Sequence, residues 1–286
     1  MKGYLSLPLL ILIPLSLFAK DLQKTEEIIN TILRNDIRVS RPEKDDSKGK
    51  DPGKDQKYPE KGKVSKSKEK KETTSDEILY KIGIQNFNTE LYEAAVKNFT
   101  ELKSKFPQSD FRDNASIWSG KSHVKLGKYD EALKDFSSIA EGSGEYYASL
   151  FYQGDTYQRM GQNYRAVELY HRLASLHPTY ELADDALIRT GYIYLQERKG
   201  KQALEAAITV IKRYSHQDMV DDAYYLIGKV YEKDPQLRDI EMARKIYKIF
   251  LKKAERGDRY FVNSPLRRRV SSDLKYIEAS YFKLEK

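Results

Sequence analysis

Beyond residue 75 the apolar positions follow a long period laid over the helical one. Glycines stand at Gly83, Gly120, Gly154, Gly191 and Gly228, separated by 37, 34, 37 and 37 residues. Twelve residues after each of the first four comes an alanine, at Ala95, Ala132, Ala166 and Ala203; the fifth, Ala243, comes three residues later, after an insertion around Asp234, Pro235 and Gln236. Four residues further on stand Phe99, Phe136, Tyr170, Ala207 and Tyr247. Leu79, Leu150 and Leu187 precede three of the glycines by four, and Pro107 and Pro178 close two of the units. Spacing by four is helical, and self-similarity at this period is the mark of a repeat array. The pattern predicts five helix-turn-helix units over residues 76–262. Glycine and alanine would be small where the two helices of a unit cross, with the aromatic residue filling the groove against the next unit. Leu126-Gly127-Lys128-Tyr129 and Met160-Gly161-Gln162-Asn163 carry turn signals between helices. After the fifth unit, Ser264 and Pro265 read as N-cap and first residue of a last helix, with Leu266, Val270, Leu274, Ile277 and Tyr281 on one face. Over residues 263–286 that helix would cap the open end of the array.

Three stretches before residue 76 fall outside the pattern. Lys2 followed by a mostly apolar run from Leu5 to Phe18, with Pro8 and Pro14 inside it and Ala19 before the charged Lys20 and Asp21, has the build of a secretory signal peptide. The run is shorter than the roughly 20 residues a spanning helix needs. Residues 1–19 are therefore expected to direct export to the periplasm and to be removed near Ala19. Over residues 20–40, Leu22, Ile29, Ile32, Leu33 and Ile37 share one side of a short amphipathic helix, which alone would be marginal; a small coiled coil, a docking helix and a poorly ordered mature N-terminus all fit it. Residues 41–75 are mostly Lys, Asp, Glu, Pro, Gly and Ser, with Tyr58 and Val64 the larger apolar groups, too little to bury for folding. They read as a disordered charged linker, a solvated tether or a strip for an anionic cell-wall polymer or membrane face.

Charge sharpens this division. The chain of 286 residues carries a net charge of +8. Of that, +1 lies at Lys2, none over residues 20–40, +4 in the linker and +3 over residues 76–286. The repeats are near neutral, which argues against nucleic acid. With no cysteine there is no disulfide framework, no thiolate metal site and no residue to carry a lipid anchor. His123, His171, His177 and His216 show no i, i+4 pair to offer zinc. Asp76-Glu77, Asp184-Asp185 and Asp221-Asp222 all fall in the first turn of the first helix of a unit, where they complement the helix dipole rather than form acid-base pairs. Gly142-Ser143-Gly144 is too short for a phosphate loop. The sequence therefore implies no enzyme and no cofactor.

By these glycines, alanines and aromatic positions the chain resembles the tetratricopeptide repeat (TPR) family over about 180 of its 286 residues, which implies an all-α fold, a right-handed α-solenoid with a binding face lined by the first helix of each repeat. Asn114-Ala115-Ser116-Ile117-Trp118-Ser119-Gly120 and Ala183 to Gly191 are similar to the periplasmic TPR protein of the Tol-Pal system. The five repeats and trailing helix are shared with the TPR lipoprotein of the outer-membrane β-barrel assembly machine. The resemblance implies a scaffold for envelope proteins or extended peptides, and the aromatics interleaved with cations in the binding slots suit a peptide with acidic groups. Carried onto this chain, the binding slots include Tyr80, Lys81, Trp118, Lys121, Lys125, Phe151, Tyr152, Asp155, Arg159, Arg189, Tyr192, Gln196, Tyr225, Lys229 and Lys233. The carboxylate clamp of TPR co-chaperones is not implied, because Tyr80 and Ile84 occupy its Lys and Asn slots. Arg267, Arg268 and Arg269, at the start of the last helix, oppose its dipole and form a candidate docking site of their own.

Overall fold

The computed structural model describes residues 27, 29–31, 74–214 and 218–283. The predicted signal segment, nearly all of the linker, most of residues 20–40, and His216 lie outside the described residues. Within residues 20–40, Glu27 and Ile29–Thr31 are helical, and Ile29 is only 1% exposed. Among the described residues beyond 73, every regular element is a helix: α1 (Ser75–Asn88), α2 (Tyr92–Lys105), α3 (Arg112–Lys125), α4 (Tyr129–Ser137), α5 (Tyr146–Arg159), α6 (Asn163–Leu176), α7 (Ala183–Gln196), α8 (Gly200–Arg213), α9 (Val220–Lys233), α10 (Ile240–Glu255), α11 (Arg259–Val262) and α12 (Arg267–Tyr281). The chain divides into two compact units, residues 41–186 and residues 187–286 together with 1–40, so that the boundary falls inside α7.

In the unit of residues 41–186 the helices pack in sequence order, α1 on α2, α3 on α4 and α5 on α6, each pair against the next. The second helix of each pair buries one stripe: Ala95, Phe99 and Leu102 on α2, Ala132 and Phe136 on α4, Ala166, Tyr170 and Leu173 on α6. Burying a large apolar side chain is worth roughly 1.5–3 kcal/mol, which is how helices of 14 residues or fewer hold.

The glycines explain where the aromatic rings lie, and they add a contact to the one that the spacing predicts. A Cβ built on Gly83 would fall 2.5 Å from Phe99, one on Gly120 2.4 Å from Phe136, and one on Gly154 2.6 Å from Tyr170. The ring therefore lies on the glycine of its own repeat and also meets the next one: Tyr152 of α5 stacks on Phe136, and Ala115 of α3 packs in one cluster with Phe99. A ring is flat and wide, and only a helix without a Cβ lets it approach the backbone so closely. The turn between paired helices repeats as well. Lys128 N–H donates to His123 C=O at 2.9 Å and Gln162 N–H to Tyr157 C=O at 2.9 Å. Gly127 and Gly161 stand at φ of 72° and 73°, the left-handed conformation this turn requires.

In the unit that holds residues 187–286, α9 packs on α8 and α10, and α12 lies against α10. Gly228 repeats the arrangement, its Cβ position lying 2.3 Å from Tyr247. Gly191 does not: with Ala207 in the aromatic slot, the space above it is taken by Leu226, 2.4 Å away. The insertion that disturbs the repeat spacing has a structural role. Asp234 is 2% exposed. Its carboxylate accepts from Gly200 N–H at 3.1 Å, Gln236 N–H at 3.0 Å and Leu237 N–H at 3.1 Å, tying the start of α8 to the loop after α9. The last helix begins at Arg267 rather than Pro265, with the Ser264 hydroxyl accepting from Leu266 N–H at 3.1 Å.

The paired acids serve as fasteners as well as dipole partners. Ser109, in the loop after α2, donates to Asp76 at 2.5 Å. The Ser264 hydroxyl bonds Asp221, whose pKa burial nonetheless pushes above the ordinary carboxylate value.

Candidate functional site

Three first helices, α1, α3 and α5, present the predicted slots of the unit of residues 41–186. They converge on one side chain. Lys121 Nζ stands 3.7 Å from the centre of the Trp118 ring, 5.2 Å from that of Tyr152 and 5.7 Å from that of Phe87. The walls are held from behind: Trp118 meets Phe87 edge-on at 5.0 Å, and Tyr152 stacks on buried Phe136 at 5.7 Å. Aromatic faces favour a cation. Burial pushes the Lys121 ammonium below its ordinary pKa, and Lys125 adds repulsion in the same direction. Among the described residues no carboxylate lies within ion-pair distance of Lys121.

Around this centre the other slots divide. Tyr80 stacks on Phe111 at 5.0 Å and is partly packed rather than open. Asp155 holds Arg159 at 2.7 Å, and Glu77 holds Lys81 at 2.6 Å, so these cations have local partners. Lys125 is exposed. Tyr180 packs beside Tyr152 on the same core, and burial, with Glu181 and Glu145 nearby, pushes its pKa up to about 12. Phe87 and Tyr180 were absent from the sequence reading; Phe87, four residues after Gly83 near the end of α1, carried the signal for one of them. Behind the site His123 Nδ1 lies 2.8 Å and Lys103 Nζ 2.7 Å from the two oxygens of Asp135. Burial alone would raise the Asp135 pKa, but these two contacts outweigh it and hold it below the ordinary value. This is a fastening among α2, α3 and α4, not a catalytic pair open to a substrate.

In the other unit the predicted slots are largely taken. The Tyr225 hydroxyl donates to Asp273 of α12 at 2.9 Å, and Lys229 Nζ reaches Glu232 at 2.8 Å and Asp273 at 3.4 Å. The Tyr247 hydroxyl also donates to Glu232, at 2.8 Å, and Lys233 lies 3.2 Å from it. Burial opposes ionisation of Glu232, yet bonds from Lys229 and Tyr247 keep its pKa below the ordinary value. Burial, then Asp222 and Tyr225, raise the pKa of Tyr192. Arg189 is half-buried and Gln196 exposed. The last helix thus does cap: it consumes Tyr225 and Lys229 as internal partners. The arginine triplet is also split. Arg269 lies 5.6 Å from the Tyr225 ring, whereas Arg267 and Arg268 line a groove of about 510 Å³ with Leu251, Glu255 and Ser271.

Among the described residues no group of three His, Asp or Glu side chains could hold a metal ion, and no helix is long and apolar enough to cross a membrane. No curated protein matches the chain. Among solved structures, crystal structures of MamA are similar at 20% identity: one has a TM-score of 0.52 over 65% of this chain and 94% of that one, another 0.51 over 63% and 98%. The nearly identical TPR-like repeats of a kinesin light chain from the fungus Podospora anserina superpose with a TM-score of 0.51 at 13% identity, over 63% of this chain and 95% of that one. At these identities the likeness is one of fold. The family model described as tetratricopeptide repeat matches residues 77–109 and 148–180. Those segments are α1 with α2 and α5 with α6, so two of the three helix pairs around Lys121, the ones that bring Phe87 and Tyr152, match the TPR model within an all-helical TPR fold.

Proposed function

We propose that this chain is an exported, non-enzymatic scaffold of the cell envelope, of the Tol-Pal or division-associated type, that holds partner proteins through an extended acidic peptide laid across α3 and α5. TPR units are generally protein-interaction modules. The observation that carries the peptide's chemistry is Lys121, a half-buried ammonium walled by Trp118, Tyr152 and Phe87 with no described carboxylate within ion-pair distance. A peptide carboxylate reaching it would meet a cation already stripped of much of its water, so the charge-assisted bond would be strong. Side chains flanking that carboxylate would stack on the aromatic walls. Export rests on the composition of residues 1–19, and the linker would give the scaffold reach.

The experiment is a pull-down from cell envelopes with the full chain and with Trp118→Ala and Lys121→Met. Tol-Pal or division proteins captured by the wild type and lost in both variants support the reading. A β-barrel assembly complex points instead to outer-membrane protein assembly, and glycan strands without protein to a recruiting subunit that contacts peptidoglycan. Trp118 is the chain's only tryptophan, so binding of a captured partner's peptide must change its emission. Intact-mass measurement on protein from native cells should find a chain beginning near Lys20; retention of residues 1–19 rejects export by cleavage.

A further inference from the structure

The near-neutral charge of the repeats conceals a segregation. Residues 76–239 hold 21 basic and 25 acidic side chains, a net −4, whereas residues 240–286 hold 13 and 6, a net +7. The described part of that excess sits on α10, on α12 and in the segment between them. Arg244 and Lys248 are engaged by Glu278 at 3.2 and 2.8 Å. No described carboxylate lies within ion-pair distance of Lys245, Lys252, Arg256, Arg267 or Arg268, and all five are exposed. Glu255 shares the Arg267 and Arg268 groove without pairing with either.

Fold stability does not account for this arrangement. α1, α3, α7 and α9 each open with one or two acids and α5, α6 and α8 with none; α12 also has none, and it alone carries three arginines there. Cations at a helix N-terminus oppose the dipole. A second groove, of about 550 Å³, is lined along α10 by Lys245, Lys248 and Lys252 with the apolar Ile249, as Leu251 joins the lining of the first. Grooves lined by cations together with an apolar side chain fit a chain that alternates carboxylates with apolar side chains. Glu241 and Glu255 interrupt the positive field and make the face a poor match for a uniform polyanion or a flat anionic bilayer.

We propose that α10 and α12 form a second docking surface, independent of the Lys121 site, for an acidic polypeptide segment bearing apolar residues. The test uses the full chain and a labelled dodecapeptide of four Glu-Glu-Leu units, read by anisotropy, with Trp118 emission followed in parallel. The variant Lys245→Glu/Lys252→Glu/Arg267→Glu/Arg268→Glu should weaken binding by about tenfold or more, and wild-type binding should weaken as salt rises from about 50 to about 200 mM. Because the Lys121 site is itself proposed to take an acidic peptide, binding is compared in a Trp118→Ala/Lys121→Met background, where the affinity for the basic face should stay within about twofold, a difference of under about 0.5 kcal/mol. A control reversing Lys97, Lys128, Lys134 and Lys212 to Glu, with the same net charge, should also leave it within that range. The corresponding four-site Gln variant should reproduce the loss, and circular dichroism should show both fully helical. Equal weakening by the control variant overturns the proposal in favour of net charge, and loss in the Trp118→Ala/Lys121→Met background assigns the peptide to the Lys121 site. Absence of peptide binding while the chain sediments with vesicles containing anionic phospholipid, or self-associates at low salt through the same residues, overturns it in favour of a membrane or a second copy.

Discussion

Replacing Gly120 by alanine sets two effects of opposite sign against each other. In an exposed helix interior the change should stabilise by roughly 0.5–1 kcal/mol, because glycine loses more backbone freedom on folding. Here the new methyl would lie 2.4, 2.6 and 2.8 Å from Cε1, Cζ and Cδ1 of Phe136. That ring is fully buried, and Tyr152 stacks on it at 5.7 Å, so it has little room to withdraw. Overpacking of a filled core costs about 1–3 kcal/mol, and the balance is a destabilisation of about 0.5–2 kcal/mol. Gly191→Ala provides the internal comparison: its methyl would meet only Leu226 Cδ2 so closely, the end of a side chain that can turn. Its cost should be clearly smaller. Urea unfolding of the full chain followed by circular dichroism reads both, and Gly120→Ala in a Phe136→Ala background should lose its penalty, a coupling on the order of 1 kcal/mol. A Gly120→Ala midpoint at or above that of the wild type would refute the account of why the glycines recur.

Asp234→Ala leaves the amides of Gly200, Gln236 and Leu237 without their acceptor, at about 1–3 kcal/mol per buried group left unpaired; a loss of at least about 2 kcal/mol in urea unfolding is expected, and an unchanged midpoint would show the tie to be incidental. For Asp135, the folded pKa lies below the ordinary 3.8, so its contribution is full above that value and disappears as pH falls through the depressed pKa. Asp135→Asn should therefore destabilise at pH 7 and flatten the acid limb of a stability-against-pH profile, and an unaltered limb would count against the Lys103 and His123 contacts.

Much of the fold is legible in the chain because the glycine, alanine and aromatic positions keep one spacing through four repeats. Local spacing shows only part of what a ring touches: Phe99 and Phe136 meet the next repeat as expected, and they also lie on Gly83 and Gly120 of their own. The candidate site was legible in Trp118, Lys121 and Tyr152, which fall on repeat positions. Tyr225 and Lys229 fall on repeat positions too, but their partner Asp273 comes 48 and 44 residues later on a helix outside the repeat pattern, so spacing within a repeat does not show that contact. Averaging charge over residues 76–286 hid the basic end, since a net figure discards position.

The Asp234 clamp bears on how the array comes apart. In a linear array each repeat touches only its neighbours, so unfolding can stop at any weak junction. One carboxylate accepting from amides on both sides of the junction between α8 and α9 makes those amides share a fate. Hydrogen exchange at Gly200, Gln236 and Leu237 should proceed through a common opening event rather than by separate fraying of two helix ends. What looks along the sequence like an irregularity of length thereby works as a rivet.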